Sequence, residues 1–206
     1  MIHDFDRSRW FGASDVRFIF ASNRSTKSWA EWWSEKLGDN TRNFSTIYTR
    51  AGTIYEHPIL EAIDPDIIPD GQILMERYRL RINYDGYKDG NIVEVKTYKD
   101  EDDFEEPTRY SKGKYLDYWR QCQVQMFVYQ KMADEWFLPP FESLHLAAYP
   151  LHVDEYYAEE DDVTVDPNRI QFYEIRYDKD FIKTEFIPRI KELSRELTKA
   201  LRKKGE

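Results

Sequence analysis

The stretch NYDGYKDGNIVEVKTYK (83–99) constrains the chain more than any other. Asp89-Gly90 is a favoured two-residue hairpin turn, because both central positions of such a turn must accept positive φ. With these two residues as the loop, Lys88 pairs with Asn91, Tyr87 with Ile92 and Gly86 with Val93, and Asp85 falls opposite Glu94. Directly opposed side chains hold their Cβ atoms about 4.5–5.5 Å apart, and like charges there repel. Alternation along a strand puts Lys96 on the face of Glu94 and turns Val95 the other way. Two carboxylates and an ammonium therefore converge on one patch. A divalent cation between the acids would relieve the repulsion, and Mg²⁺ suits the place because it takes oxygen ligands and keeps positions open for phosphate. Such an ion could generate hydroxide from bound water and polarise a phosphodiester, with Lys96 orienting the water or stabilising charge on phosphate. The plainer alternative is an exposed hairpin whose acids simply face water.

At 206 residues the chain can bury a core, and one domain over 1–206 is expected. Its 16 % aromatic and 33 % charged content fits a globular protein. No apolar run approaches the roughly 20 residues of a membrane span, and the N-terminus lacks a secretory signal. Cys122 is the only cysteine, which rules out an internal disulfide and a cysteine-held cluster and points to a reducing cytosol. A net charge of −9 argues against indiscriminate coating of nucleic acid. The acid-rich runs 100–106 and 154–162 read as solvated loops. Basic residues gather at 7–9, 109–114 and 202–204, leaving room for a local anion-binding surface. His3, His57, His145 and His152 show no metal-ligand spacing.

Ser28 followed by Glu31 has capping-box spacing ahead of a helix, and Thr53 with Glu56 repeats it before a segment carrying Pro58. Residues 73–82 and 92–98 read as strands, 115–133 as a helix, and 143–151 and 170–178 as further strands. A closing helix carries apolar residues at 182, 186, 190, 193, 197 and 201. That order predicts an α/β (α+β) fold with a mixed central sheet flanked by helices. Tyr55 and Tyr129 read as core.

Asp85 followed by Glu94-Val95-Lys96 resembles the PD-(D/E)xK nuclease motif. Around it, RQCQVQMFVY (120–129), GTIYE (52–56) and GASDV (12–16) resemble segments of the lambda-type (YqaJ) phage exonuclease branch, in the same order. The closing strand and helix echo that branch too. The resemblance implies a restriction-endonuclease-like core and a Mg²⁺- or Mn²⁺-dependent 5′→3′ exonuclease acting on double-stranded DNA ends. Asp85, Glu94, the Val95 carbonyl and Glu56 would hold metal, Lys96 would position the water, and Gln123 would support Lys96 or the water. Ser14 with Arg7 or Arg9 would hold the 5′-terminal phosphate, with Gln121 less directly engaged. Asn83 stands where the branch has serine, and Asp102 where it has arginine; Lys99, Arg109 or Lys112 would compensate at the phosphate.

The resemblance further implies a homotrimeric ring around DNA, a single-strand annealing partner, recombination as the setting, and a phage or prophage origin in a bacterial cytoplasm. The alternatives are a PD-(D/E)xK endonuclease, a RecB-like repair nuclease, or a non-catalytic DNA-end-binding module. The lone cysteine excludes the four-cysteine iron–sulfur form of the second.

Overall fold

The computed structural model describes residues 6–39 and 46–205; His3 lies outside them. Five strands form one sheet in chain order: β1 (Ile68–Met75), β2 (Leu80–Lys88), β3 (Asn91–Lys99), β4 (Ser143–Leu151) and β5 (Gln171–Glu174). β3 and β4 run parallel, and the other neighbours are antiparallel. Parallel neighbours need a long crossover, supplied here by α4 (Gly113–Met132). The remaining helices are α1 (Val16–Ile19), α2 (Lys27–Lys36), α3 (Ile47–Ile63), α5 (Lys179–Phe181) and α6 (Ile187–Lys204). The mixed sheet flanked by helices is the fold class expected.

The two-residue period of the strands sorts the core into two layers. Ile92, Leu144 and Leu146 pack with Cys122 and Met126 of α4 and with Ile190, Leu193 and Leu197 of α6. Val93, Val95, Ala147 and Tyr149 face the other way, against Ala51, Tyr55 and Ile59 of α3. The predicted apolar stripe of the closing segment is buried at all six positions. A π-helical turn, Ile182–Phe186, divides that segment, and Pro188 sits in the first turn of α6, where a missing N–H costs nothing. Trp32 is buried among Phe18, Trp29 and Phe11, with ring centroids 5.2, 5.7 and 5.8 Å away.

Three local expectations are corrected. Helix α2 is capped by Thr26, whose hydroxyl accepts from the Trp29 N–H at 3.2 Å, so Ser28 lies inside the first turn. Helix α3 starts at Thr46, placing Thr53, Glu56 and Pro58 in its interior. Residues 73–82 are two strands, not one: a 3₁₀ turn at Glu76–Tyr78 and a left-handed Arg79 (φ 52°) reverse the chain between β1 and β2.

The hairpin forms as read, with Lys88↔Asn91, Tyr87↔Ile92 and Gly86↔Val93 paired around Asp89 (φ 48°) and Gly90 (φ 86°). Both turn residues are left-handed, as this turn requires. The tip is pinned by the Glu142 N–H donating to the Gly90 carbonyl at 2.9 Å.

Candidate active site

Beyond Gly86↔Val93 the β2–β3 ladder stops. Asp85 is therefore not the ladder partner of Glu94: its Oδ2 accepts from the Val95 N–H at 2.7 Å, so a carboxylate replaces a backbone carbonyl. The β1–β2 ladder, on the other edge of β2, is interrupted at the same residue. In the β1–β2 ladder Pro69↔Gly86 is followed by Gly71↔Tyr84, passing over Asp70 and Asp85. Asp70 is left-handed (φ 60°), and the Tyr84 ring lies so close to Gly71 that any Cβ there would sit 1.8 Å from it. Glycine at 71 is thus a packing requirement beside the acids.

Glu94 is 1 % exposed and fully engaged. Its Oε1 accepts from Lys96 Nζ and Gln121 Nε2, and its Oε2 from Gln125 Nε2. Gln125 also donates to the Asn83 carbonyl at 3.0 Å, while its own Oε1 is buried with no partner among the described residues. Lys96 Nζ lies 5.4 Å from the Tyr118 ring centroid, a cation–π distance. From α3, Glu56 reaches the same cleft, followed by His57, whose Nε2 is 3.2 Å from Asp70 Oδ2. Glu56, His57 and Asp70 each bring one ligand atom within 4.8 Å of the others.

Most of these groups line a cleft of about 290 Å³, with His57, Tyr118 and Gln125 outside its lining. Asp85, Glu94, Val95, Lys96 and Gln121 form one side, and Glu56 and Asp70 border it. Arg7, Ser14, Lys36 and Arg81 line the rest. The GASDV segment explains Ser14. Asp15 Oδ2 accepts from the Gly12 N–H at 2.8 Å, curling 13–15 into a 3₁₀ turn that leaves Ser14 exposed. Asp15 is itself fixed by Lys36, 1 % exposed, at 2.9 Å.

Crowding sets the electrostatics. Burial, then the charges of Glu94 and Glu56, push the Asp85 carboxyl well above the usual range. Burial and the nearby Glu94 push Glu56 up to about 7. Burial disfavours charge on Lys96, but Glu94 and Asp85 outweigh it and raise its pKa. Without metal, Lys96 is therefore held as a cation. At Asp15 burial is likewise outweighed, here by the Lys36 ammonium, and the carboxyl is held low.

The donor set fits a hard divalent cation: oxygen ligands from several elements converge, and each acid raises the pKa of another, a penalty that a bound cation removes. Asp85, Glu94, the Val95 carbonyl and Glu56 are the residues that would hold it.

Of the residues singled out in the sequence, the cleft brings together Arg7, Ser14, Glu56, Asp85, Glu94, Val95, Lys96 and Gln121. Gln123 is a correction. Its Nε2 donates to the Arg176 carbonyl at 2.8 Å and its Oε1 accepts from the Asp178 N–H at 2.7 Å, tying α4 to the chain entering α5. Arg109 is also elsewhere, paired with Asp178 and Glu185 at 2.9 and 2.6 Å. Lys99 lies over the Tyr48 ring, Lys112 is the exposed N-cap of α4, and Arg9 lies outside the cleft lining with a left-handed backbone (φ 67°). Missed by sequence reading were Gln125, Asp70, His57, Lys36 and Arg81. Gln125 alone carried a signal: it is one helical repeat from Gln121, so both share a face.

No protein-family model and no curated protein matches the chain. Among solved structures the fold is similar to that of an alkaline exonuclease, LHK-Exo, from Laribacter hongkongensis, with a TM-score of 0.59 and 18 % identity over 97 % of this chain and 95 % of that one. Its complex with dAMP gives the same TM-score and coverage at 20 % identity. A phage-related exonuclease from Haemophilus somnus 129PT gives 0.55 and 16 %, covering 93 % of each chain. The chain therefore has the fold of these exonucleases.

Proposed function

We propose that the chain is a Mg²⁺- or Mn²⁺-dependent deoxyribonuclease that degrades linear double-stranded DNA from its 5′ ends, with 1–206 as one nuclease domain. The carrying observation is the cleft itself: Asp85, Glu94 and Glu56 crowd around the half-buried Lys96, within a fold shared with exonucleases. A divalent cation held by Asp85, Glu94, the Val95 carbonyl and Glu56 would supply a water of lowered pKa and polarise the phosphate. The rest belongs to side chains. Gln121 and Gln125 fix the orientation of Glu94. Lys96, held protonated, stabilises negative charge on the phosphate and has a proton for the leaving oxygen. Ser14, Arg7 and Arg81, which also line the cleft, suit the terminal phosphate of the strand.

The same reading extends to a homotrimer enclosing DNA, a single-strand annealing partner and a phage or prophage setting in a bacterial cytoplasm. No helix among the described residues is long and apolar enough to cross a membrane. The test is incubation of linear, nicked circular and closed circular duplex with Mg²⁺ or Mn²⁺, and with EDTA. Loss of linear DNA alone, only with metal and faster from 5′-phosphorylated ends, is expected. Cutting of closed circles would establish an endonuclease instead, and binding of ends without cleavage in either metal would leave a non-catalytic module.

A further inference from the structure

The basic residues near the C-terminus have no part in the cleft. Arg195, Lys199, Arg202 and Lys203 of α6 line a separate groove of about 600 Å³, joined from the β1–β2 turn by Arg77. Among the described residues none of the four α6 cations makes an ion pair, although the chain as a whole carries −9. The acids of α6 are occupied on another side: Glu192 and Glu196 hold Arg24 at 3.1 and 3.2 Å. Cations in a last helical turn commonly answer the helix dipole. That accounts for Arg202 and Lys203 but not for Arg195 and Lys199 further up the helix, or for Arg77 from another element.

Spacing and lining identify the ligand. Residues 195, 199 and 203 repeat every four positions and so form one ridge about 12 Å long at 1.5 Å per residue. One strand of a duplex presents a phosphate about every 3.4 Å of axis, so the ridge spans three or four phosphates. No aromatic side chain lines the groove, so it offers no stacking platform for unpaired bases. The groove and the cleft are linked through neighbouring residues of the chain. Arg79, just before β2, donates from Nε to Thr198 Oγ1 of the groove at 3.1 Å, and two residues on, Arg81 of β2 lines the cleft.

Resting on the nuclease reading of the cleft, we propose that this groove holds the phosphate backbone of intact duplex DNA behind the end being cleaved, without reading its sequence. The test is anisotropy of a fluorescein-labelled duplex in EDTA over a series of NaCl concentrations. The proteins compared are wild type, the triple variant Arg195→Gln/Lys199→Gln/Lys203→Gln and the charge-preserving Arg195→Lys/Lys199→Arg/Lys203→Arg. Each lost phosphate contact lowers the slope of log affinity against log salt by about 0.9, so the glutamine variant should lose about 2 to 3 in slope and at least about tenfold in low-salt affinity. The charge-preserving variant should match wild type. An unchanged slope in the glutamine variant, or equal losses in both variants, overturns the proposal. So does a slope loss that accompanies a fall in mass by light scattering, which would assign the groove to a subunit contact. Cleavage of linear DNA by the wild type, measured separately, tells failure of this proposal from failure of the nuclease reading.

Discussion

The cleft and the α6 groove are both charged, yet they are built on opposite principles. In the cleft the charges are few, packed and pinned: Glu94 takes three side-chain donors and Asp85 a backbone N–H. In the groove they are exposed and unpaired among the described residues. Pinned acids repel one another at a fixed distance, which suits chemistry at a single phosphate. Unpinned cations keep their reach and their sensitivity to salt, which suits a sliding polyanion. The difference teaches that a chain of net charge −9 can still gather exposed cations in one groove while its acids crowd another.

The sharpest break in that comparison comes from removing one pinned charge. Lys96→Ala and Glu94→Gln should each lower cleavage by about 10³-fold or more, whereas no single groove substitution should approach that. Lys96→Ala leaves Glu94 buried with less compensation and is destabilised as well. Glu94→Gln removes a repelling charge and separates the two effects. Turnover near wild type in Glu94→Gln would end the metal assignment.

The glutamines of α4 give a smaller test. Gln125→Ala should reduce the rate about 10- to 100-fold by releasing Glu94. Gln123→Ala should leave the rate per folded molecule intact and cost about 1–3 kcal/mol of stability, since it strands the Asp178 N–H and the Arg176 carbonyl. Denaturant melts paired with single-turnover rates check both, and the reverse pattern would restore Gln123 to the site.

Crowding predicts a gain as well. In EDTA at pH 8, Asp85→Asn should melt a few degrees above wild type, because repulsion is relieved while an amide oxygen can still accept from Val95. A last test lies in the pH profile. Glu56 moves from an ordinary 4.5 up to about 7 on folding, so the folded chain binds more protons across that window. Stability without metal should then decline as pH rises from about 4.5 through 7, and added Mn²⁺ should flatten the decline. A metal-free protein that grows more stable over this range in calorimetry would mean the acids are not crowded.

Much of this was legible because it is local. The Asp89-Gly90 turn dictates register, and three predicted pairs formed around it. The fourth failed because Asp85 uses its side chain where the ladder would have used its backbone, which alternation cannot anticipate. Gln121 and Gln123 looked like the motif pair, but residues two apart on a helix point in different directions, and it is Gln121 and Gln125 that reach Glu94. The break inside 73–82 has no glycine or proline to mark it; Arg79 adopts the left-handed conformation instead. Asp70 and His57 meet only because α3 packs across the sheet, on β3 and β2, and Lys36 enters the cleft through a buried pair with Asp15. Such meetings belong to tertiary structure.

Cys122, the lone thiol, is fully buried between Gln121 and Gln123 on α4. Burial also holds it as an unreactive thiol rather than a thiolate. A thiol reagent can modify it only when that helix lifts from the sheet, so modification rates under native conditions report how often the scaffold behind Glu94 opens. The protein thus carries its own clock for the breathing of its centre, with no label to introduce and no second cysteine to confuse the count.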